Sequence, residues 1–270
     1  MVKALKKPVI LSLLFAISLS FFSSQLSAQK ALDAKDIAIV YIGNSITYGS
    51  NLEHRETEAP PVITSSLLSK RIRNGHVEFS NQGYNGCTTL DFLPSSGSPF
   101  SRVIRGADSL LSNHKSALLI FSIMLGTNDS AIKGPTGAPV SQSDYRVNLS
   151  AIIEELLHRY PECKIVINRP IWYSPNTYNR SEYLAAGLAR LQSYFPEIDS
   201  VVNSFGVSHA GHIFKGDTSA FDYFKERFSL LTPESGQAGI FFLHPNKKGA
   251  IKLSEFWVKA IYKVVSSNNL

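Results

Sequence analysis

Apolar and polar positions along this chain fall into two rhythms. Four short runs, Ile37 to Ile42, His76 to Ser80, Ala117 to Leu125 and Lys164 to Asn168, are apolar and bounded by Gly, Asn or Pro, the pattern of strands buried in a sheet. Between and after them, Pro61 to Arg73, Phe100 to Leu111, Ser143 to Tyr160, Ser181 to Tyr194 and Pro245 to Ser266 repeat apolar residues every three or four positions, as Leu149, Ile152, Ile153, Leu156 and Leu157 do. That period puts them on one stripe of a helix. Strands alternating with helices predict a mainly parallel sheet covered on both faces. The expected fold is α/β, a three-layer α/β/α sandwich with a flavodoxin-like, mainly parallel sheet.

The first residues break this rhythm. Lys3, Lys6 and Lys7 precede an apolar stretch from Pro8 to Phe22, followed by Ser23-Ser-Gln-Leu-Ser27-Ala28-Gln29. A basic start, a short apolar segment and a small-residue end describe a secretory signal peptide over residues 1–28, cut after Ala28. Leu26 is larger than the usual residue at its place, so an uncleaved anchor is the alternative. No Cys directly follows the apolar segment, which argues against a lipoprotein. The expected product is secreted or periplasmic, with no stable membrane span after the leader is removed.

Composition narrows the partners. The formal charge of +6 falls to about +3 when the three leader lysines leave, and no basic run with interleaved aromatics indicates nucleic acid. Residues 29–270 suit one domain. The two cysteines, Cys87 and Cys163, do not make a disulfide framework. Cys87 reads as a small packed residue or, less simply, as a nucleophile. No metal-ligand cluster, phosphate loop or dinucleotide fingerprint is present, so neither metal nor cofactor is expected.

Four short segments carry the candidate chemistry. Gly43-Asn44-Ser45-Ile46-Thr47 follows the first strand, where open α/β folds place ligands. Asn81-Gln-Gly83-Tyr-Asn85-Gly86-Cys87 follows the second, Gly126-Thr127-Asn128-Asp129 the third, and His244-Pro245-Asn246-Lys-Lys-Gly249 heads the last helix. Each also has a structural reading: Ser45 or Asn44 as a helix cap, Gly86 as a turn former, Asn128 as a loop former, His244 as a cap of the final helix.

Together and in this order, the four segments resemble the SGNH/GDSL hydrolase superfamily over nearly the whole chain after the leader. The resemblance implies that Ser45 is a nucleophile, His244 its base, and the Ser45 and Gly86 backbone N–H groups with the Asn128 amide an oxyanion hole; Gly83 competes with Gly86 for that place. It implies an exported serine esterase, acting on O-acetyl groups of carbohydrate. The alternatives are a lipid-directed esterase, such as a lysophospholipase or thioesterase, and a catalytically silent glycan-binding module.

One position departs from the family pattern. Three residues before the histidine, where an Asp is usual, this chain has Phe241. A backbone carbonyl at or near Phe241 could hold the imidazole in a Ser-His dyad, which is the expectation, or Asp217, Asp222, Glu226 or Glu234 could fold back to it. On the substrate side, Arg169, Trp172 and Tyr173 leave the fourth strand and are candidates for contacting a sugar, with core packing as their alternative.

Overall fold

The computed structural model describes residues 32–33 and 36–267; the expected leader lies outside them. In chain order the elements are β1 (Leu32–Asp33), β2 (Ile37–Gly43), α1 (Ser45–Tyr48), α2 (Arg55–Glu58), α3 (Pro60–Ser69), β3 (Ile72–Arg73), β4 (Val77–Gly83), α4 (Ser98–Asn113), β5 (Leu118–Met124), α5 (Gln142–Arg159), β6 (Lys164–Ile167), α6 (Leu184–Ser208), β7 (Ile213–Lys215), α7 (Ala220–Glu226), β8 (Leu231–Gly236), β9 (Gly239–Pro245) and α8 (Lys247–Ser267).

The main sheet has five parallel strands in the order β4-β2-β5-β6-β7. Numbered by appearance within the sheet this is 2-1-3-4-5, the flavodoxin-like order, whose ligand crevice opens where the order reverses, between β2 and β5. Every residue of β2 is buried, because this central strand is covered by helices on each face. Tyr41 stacks on Trp257 of α8 at 5.8 Å between ring centroids, and its hydroxyl meets Ser65 Oγ of α3 at 3.0 Å. The polar tip is thus satisfied while the ring fills the core, burial worth roughly 2–3 kcal/mol for a large side chain. Among the described residues, no helix is long and apolar enough to cross a membrane.

The four expected strands and five expected helices all form, with ends shifted by a few residues. Larger differences fall at two places. The helix expected to reach Arg73 stops at Ser69, and Ile72–Arg73 pairs with β1 in a small parallel sheet. The helix expected to end at Tyr194 continues through Pro196 to Ser208. Beyond it lie β7, α7 and the antiparallel β8–β9 hairpin, none of them expected. That hairpin carries His244 onto the main sheet's ligand edge.

Candidate active site

Ser45 owes its position to two neighbours. At Gly43 a Cβ would sit 2.0 Å from Thr47 Oγ1 and 3.0 Å from the Met124 carbonyl oxygen, so only glycine lets β2 turn this tightly into α1. Asn44 then caps the helix: its Oδ1 accepts the Ile46 N–H at 3.0 Å. The cap is Asn44, which leaves the half-buried Ser45 hydroxyl free for another partner. Ser45 Oγ lies 2.9 Å from His244 Nε2.

His244 is buried near the end of β9. It does not cap α8; Asn246 does, its Oδ1 accepting the Gly249 N–H at 3.1 Å. The other ring nitrogen, Nδ1, lies 2.8 Å from Glu234 Oε1 on β8, and the His244 backbone N–H points at the same oxygen at 3.4 Å. The expected dyad on a Phe241 carbonyl is therefore corrected: the group facing Nδ1 is a carboxylate, a stronger partner for an imidazole N–H than a neutral carbonyl. In the hairpin register Glu234 pairs directly with Phe241. A carboxylate thus faces the histidine from one strand over, while Phe241 itself is buried in the core.

Electrostatics agree with this contact. Burial pushes the Glu234 carboxyl up, but the hydrogen bond and charge of His244, with donors from Asn51 and the His244 backbone, outweigh it and hold the group below the ordinary glutamate value. The remaining candidates are elsewhere. Asp217 accepts the Ser219 and Ala220 N–H groups at 3.1 and 2.9 Å at the start of α7. Asp222 is exposed on α7, and the exposed Glu226 pairs with Arg227 at 2.9 Å.

The oxyanion candidates converge from β4 and β5. Asn128 is buried, its Nδ2 donating to the Cys87 carbonyl at 2.8 Å, and an amide has a second N–H to offer. Its Oδ1 accepts the Tyr183 hydroxyl at 2.7 Å, which fixes which way the amide points. The neighbouring Asp129, pushed up to about 6 by burial, accepts the Thr89 backbone N–H at 2.8 Å and shapes the loop. Of the two glycines, Gly83 is committed: its N–H goes to Asn81 Oδ1 at 2.9 Å, and a Cβ there would meet Tyr48 N at 2.2 Å. Gly86 lies in the following turn at φ +76°, with open space around its would-be Cβ. Asn81 ties this loop to α1, its Nδ2 donating to the Thr47 carbonyl at 3.1 Å.

Of the three expected substrate contacts, two are buried in the protein and the third, Arg169, is partly exposed and paired. Arg169 binds Asp199 at 2.8 Å and lies over the Phe195 ring. Trp172 and Tyr173 are buried, and the Tyr173 hydroxyl meets Ser130 Oγ at 2.9 Å while its ring packs edge-on against Tyr183. An aromatic ring closed in on this scale has no face left for a sugar, so this expectation is corrected in favour of packing. Tyr173 instead backs the tyrosine that holds Asn128.

Cys87 and Cys163 are free and buried, and burial pushes both thiols up to about 12, away from the thiolate a nucleophile needs. Among the described residues no group of three His, Cys, Asp or Glu is arranged to hold a metal.

A mainly parallel α/β sandwich with a serine, a histidine and a polar loop at its switch point is the fold of the SGNH hydrolases. Residues 41–250 match the GDSL-like Lipase/Acylhydrolase family, and the chain belongs to that family. Solved structures share the fold at low identity. A carbohydrate acetylesterase, Est24 from Sinorhizobium meliloti, matches at 15% identity and TM-score 0.57, over 85% of this chain and 100% of that one. A GDSL-like lipase from Parabacteroides merdae, its function assigned provisionally, matches at 17% and 0.56, over 86% and 98%. A family two carbohydrate esterase from Clostridium thermocellum, solved with cellohexaose, matches at 16% and 0.51, over 88% and 66%. No curated protein sequence matches this chain.

Proposed function

We propose that this chain is a serine hydrolase of carboxylic esters that removes acetyl groups from carbohydrate. The observation that carries the chemistry is the continuous path from Ser45 Oγ through the His244 ring to Glu234, with contacts of 2.9 and 2.8 Å. With the Nδ1–H donated in a hydrogen bond to the ionised Glu234, Nε2 is left to take the proton of Ser45 as the hydroxyl attacks the ester carbonyl. Glu234 then stabilises the imidazolium that forms. The developing oxyanion is received by the Asn128 amide with the Ser45 and Gly86 backbone N–H groups. Protonated His244 returns its proton to the departing alcohol, and water repeats the sequence to release the acid.

The carbohydrate part of the reading draws on the acetylesterase neighbours and on Tyr84. This ring is 47% exposed, two residues before Gly86, with Arg102 lying against it; it offers a face for stacking that Trp172 and Tyr173 do not. We also propose export, on the basic and apolar leader pattern of residues 1–28.

A panel of acetylated glycans and aryl esters of increasing chain length tests the reading, run with wild type and Ser45→Ala. The expected result is turnover of short-chain esters and acetylated glycans by wild type and near-complete loss in a folded Ser45→Ala. Equal rates in the two proteins would remove Ser45 as nucleophile. A preference for long acyl chains would point to lipid esters, and glycan binding without turnover to a silent module.

A further inference from the structure

Asn51 stands six positions past Ser45, in the turn that follows α1, with its backbone in the left-handed region at φ +67°. Asn is one of the few side-chain-bearing residues that adopts this conformation readily. The turn is tied to the nucleophile: the Gly49 and Ser50 N–H groups both donate to the Ser45 carbonyl, at 3.0 and 2.9 Å, and Ser50 Oγ donates to Asn85 Oδ1 at 2.8 Å. From there the Asn51 side chain reaches the opposite half of the site. Its Nδ2 lies 3.3 Å from His244 Nδ1, the same nitrogen that Glu234 holds at 2.8 Å. An amide N–H and a protonated ring nitrogen are both donors and cannot satisfy each other. The acceptor open to both is the Glu234 carboxylate, which sits on the His244 ring at 2.8 Å and is lowered in pKa by the Asn51 side chain.

We propose that Asn51 is a positioning residue that holds the Glu234 carboxylate against His244, joining the nucleophile's own turn to the acid–base pair. The inference rests on the reading of Ser45, His244 and Glu234 given above. A carboxylate has acceptor sites enough for the His244 ring, the His244 backbone N–H and the Asn51 amide together. The Asn51 hydrogen bond also contributes to keeping Glu234 ionised. The titratable groups facing Glu234 are His244 from β9 and the phenol of Tyr183, which burial keeps un-ionised. Asn51 itself is neutral, so it can orient the carboxylate without competing for the proton.

Asn51→Gly and Asn51→Asp test this, since both residues accept the left-handed backbone. Glycine deletes the amide, and aspartate sets a like charge beside Glu234. Expected for Asn51→Gly is a fall in kcat of about ten- to a hundredfold, the scale of one hydrogen bond to a charged group, with KM little changed. The fall should be larger for Asn51→Asp. In both, the acid limb of the kcat/KM profile should move to higher pH, because a Glu234 that has lost its donor, or gained a like charge beside it, attracts the proton of the base His244 more strongly. A second readout needs no turnover: the downfield NMR resonance of the His244 Nδ1 proton, assigned by its loss in His244→Gln, should broaden or titrate at higher pH in Asn51→Gly. That signal decides the matter even if no ester is hydrolysed. Wild-type kcat, acid limb and Nδ1 resonance in both variants, with or without a lower melting temperature, would overturn the proposal and leave Asn51 as a turn former.

Discussion

The residues at the candidate site divide by how locally they are encoded. Ser45, Asn128 and His244 each sit at the end of a strand in a short motif, so a local reading reaches them. Tyr183 does not belong to any motif; it finds Asn128 across 55 positions, and nothing in its own neighbourhood announces the contact. Arg169, Trp172 and Tyr173 misled for the complementary reason, because aromatic and cationic residues after a strand look alike whether they face substrate or core. If Asn128 supplies an oxyanion donor, Asn128→Ala should lower kcat by about a hundred- to a thousandfold while KM moves little. Tyr183→Phe, which leaves the amide in place but frees its orientation, should cost roughly tenfold, the scale of one lost hydrogen bond. Steady-state kinetics on an aryl acetate separates the two. Normal kcat in Asn128→Ala at a temperature where it stays folded would assign the residue to the loop alone.

At the scale of elements, the site depends on a hairpin that the pattern of the sequence conceals. Pro233 within β8 argues against a strand, and the Gln237-Ala238 connection lacks the Asn-Gly or Asp-Gly signature of a tight turn. The turn nevertheless forms, with Gly239 at φ +89°. Its tip is held from outside: Asn176 Nδ2 donates to the Ile240 carbonyl at 2.7 Å, and the Gln237 N–H donates to the Tyr178 carbonyl at 2.8 Å. At Gly236 a Cβ would come within 2.3 Å of that same Tyr178 oxygen and 2.8 Å of the Phe241 ring. Gly236→Ala should therefore push β8 outward two residues from Glu234. The expected outcome is a stability loss of about 1–3 kcal/mol, as for other overpacked sites, and a drop in turnover that remains after allowance for unfolded protein. Denaturant melts with kinetics at a permissive temperature check both. Unchanged turnover in the folded fraction would mean that the hairpin does not set the Glu234 contact.

Across the whole molecule, the strand-and-helix alternation made the fold class legible, and the switch-point rule then placed the site. The stretch from Ile213 to Phe242 was opaque, because its elements are short and its β8–β9 pairing is antiparallel. Stability also has a second electrostatic centre at the opposite, amino end of the strands. His114 Nδ1 meets Asp36 at 2.9 Å and its Nε2 meets Glu78 at 3.0 Å. Those two carboxylates raise the His114 pKa, while the His76 backbone and His114 lower that of Asp36. A raised histidine stabilises the fold fully below its unfolded value, about 6.5, and loses that contribution as pH rises through the folded value. The depressed Asp36 acts in the other sense, its contribution present above the unfolded carboxylate range and lost toward acid. The wild-type melting temperature should thus decline from pH 6 to pH 9 by more than that of His114→Gln; parallel declines would contradict the ion-pair assignment. The central claim, that a carboxylate from the neighbouring strand completes a Ser-His-Glu site, is tested most directly by kcat of Glu234→Gln on a short-chain aryl ester. The expected fall is roughly a thousand- to ten-thousandfold, with KM and the melting temperature near those of wild type. A folded Glu234→Gln that turns over within tenfold of wild type would contradict it.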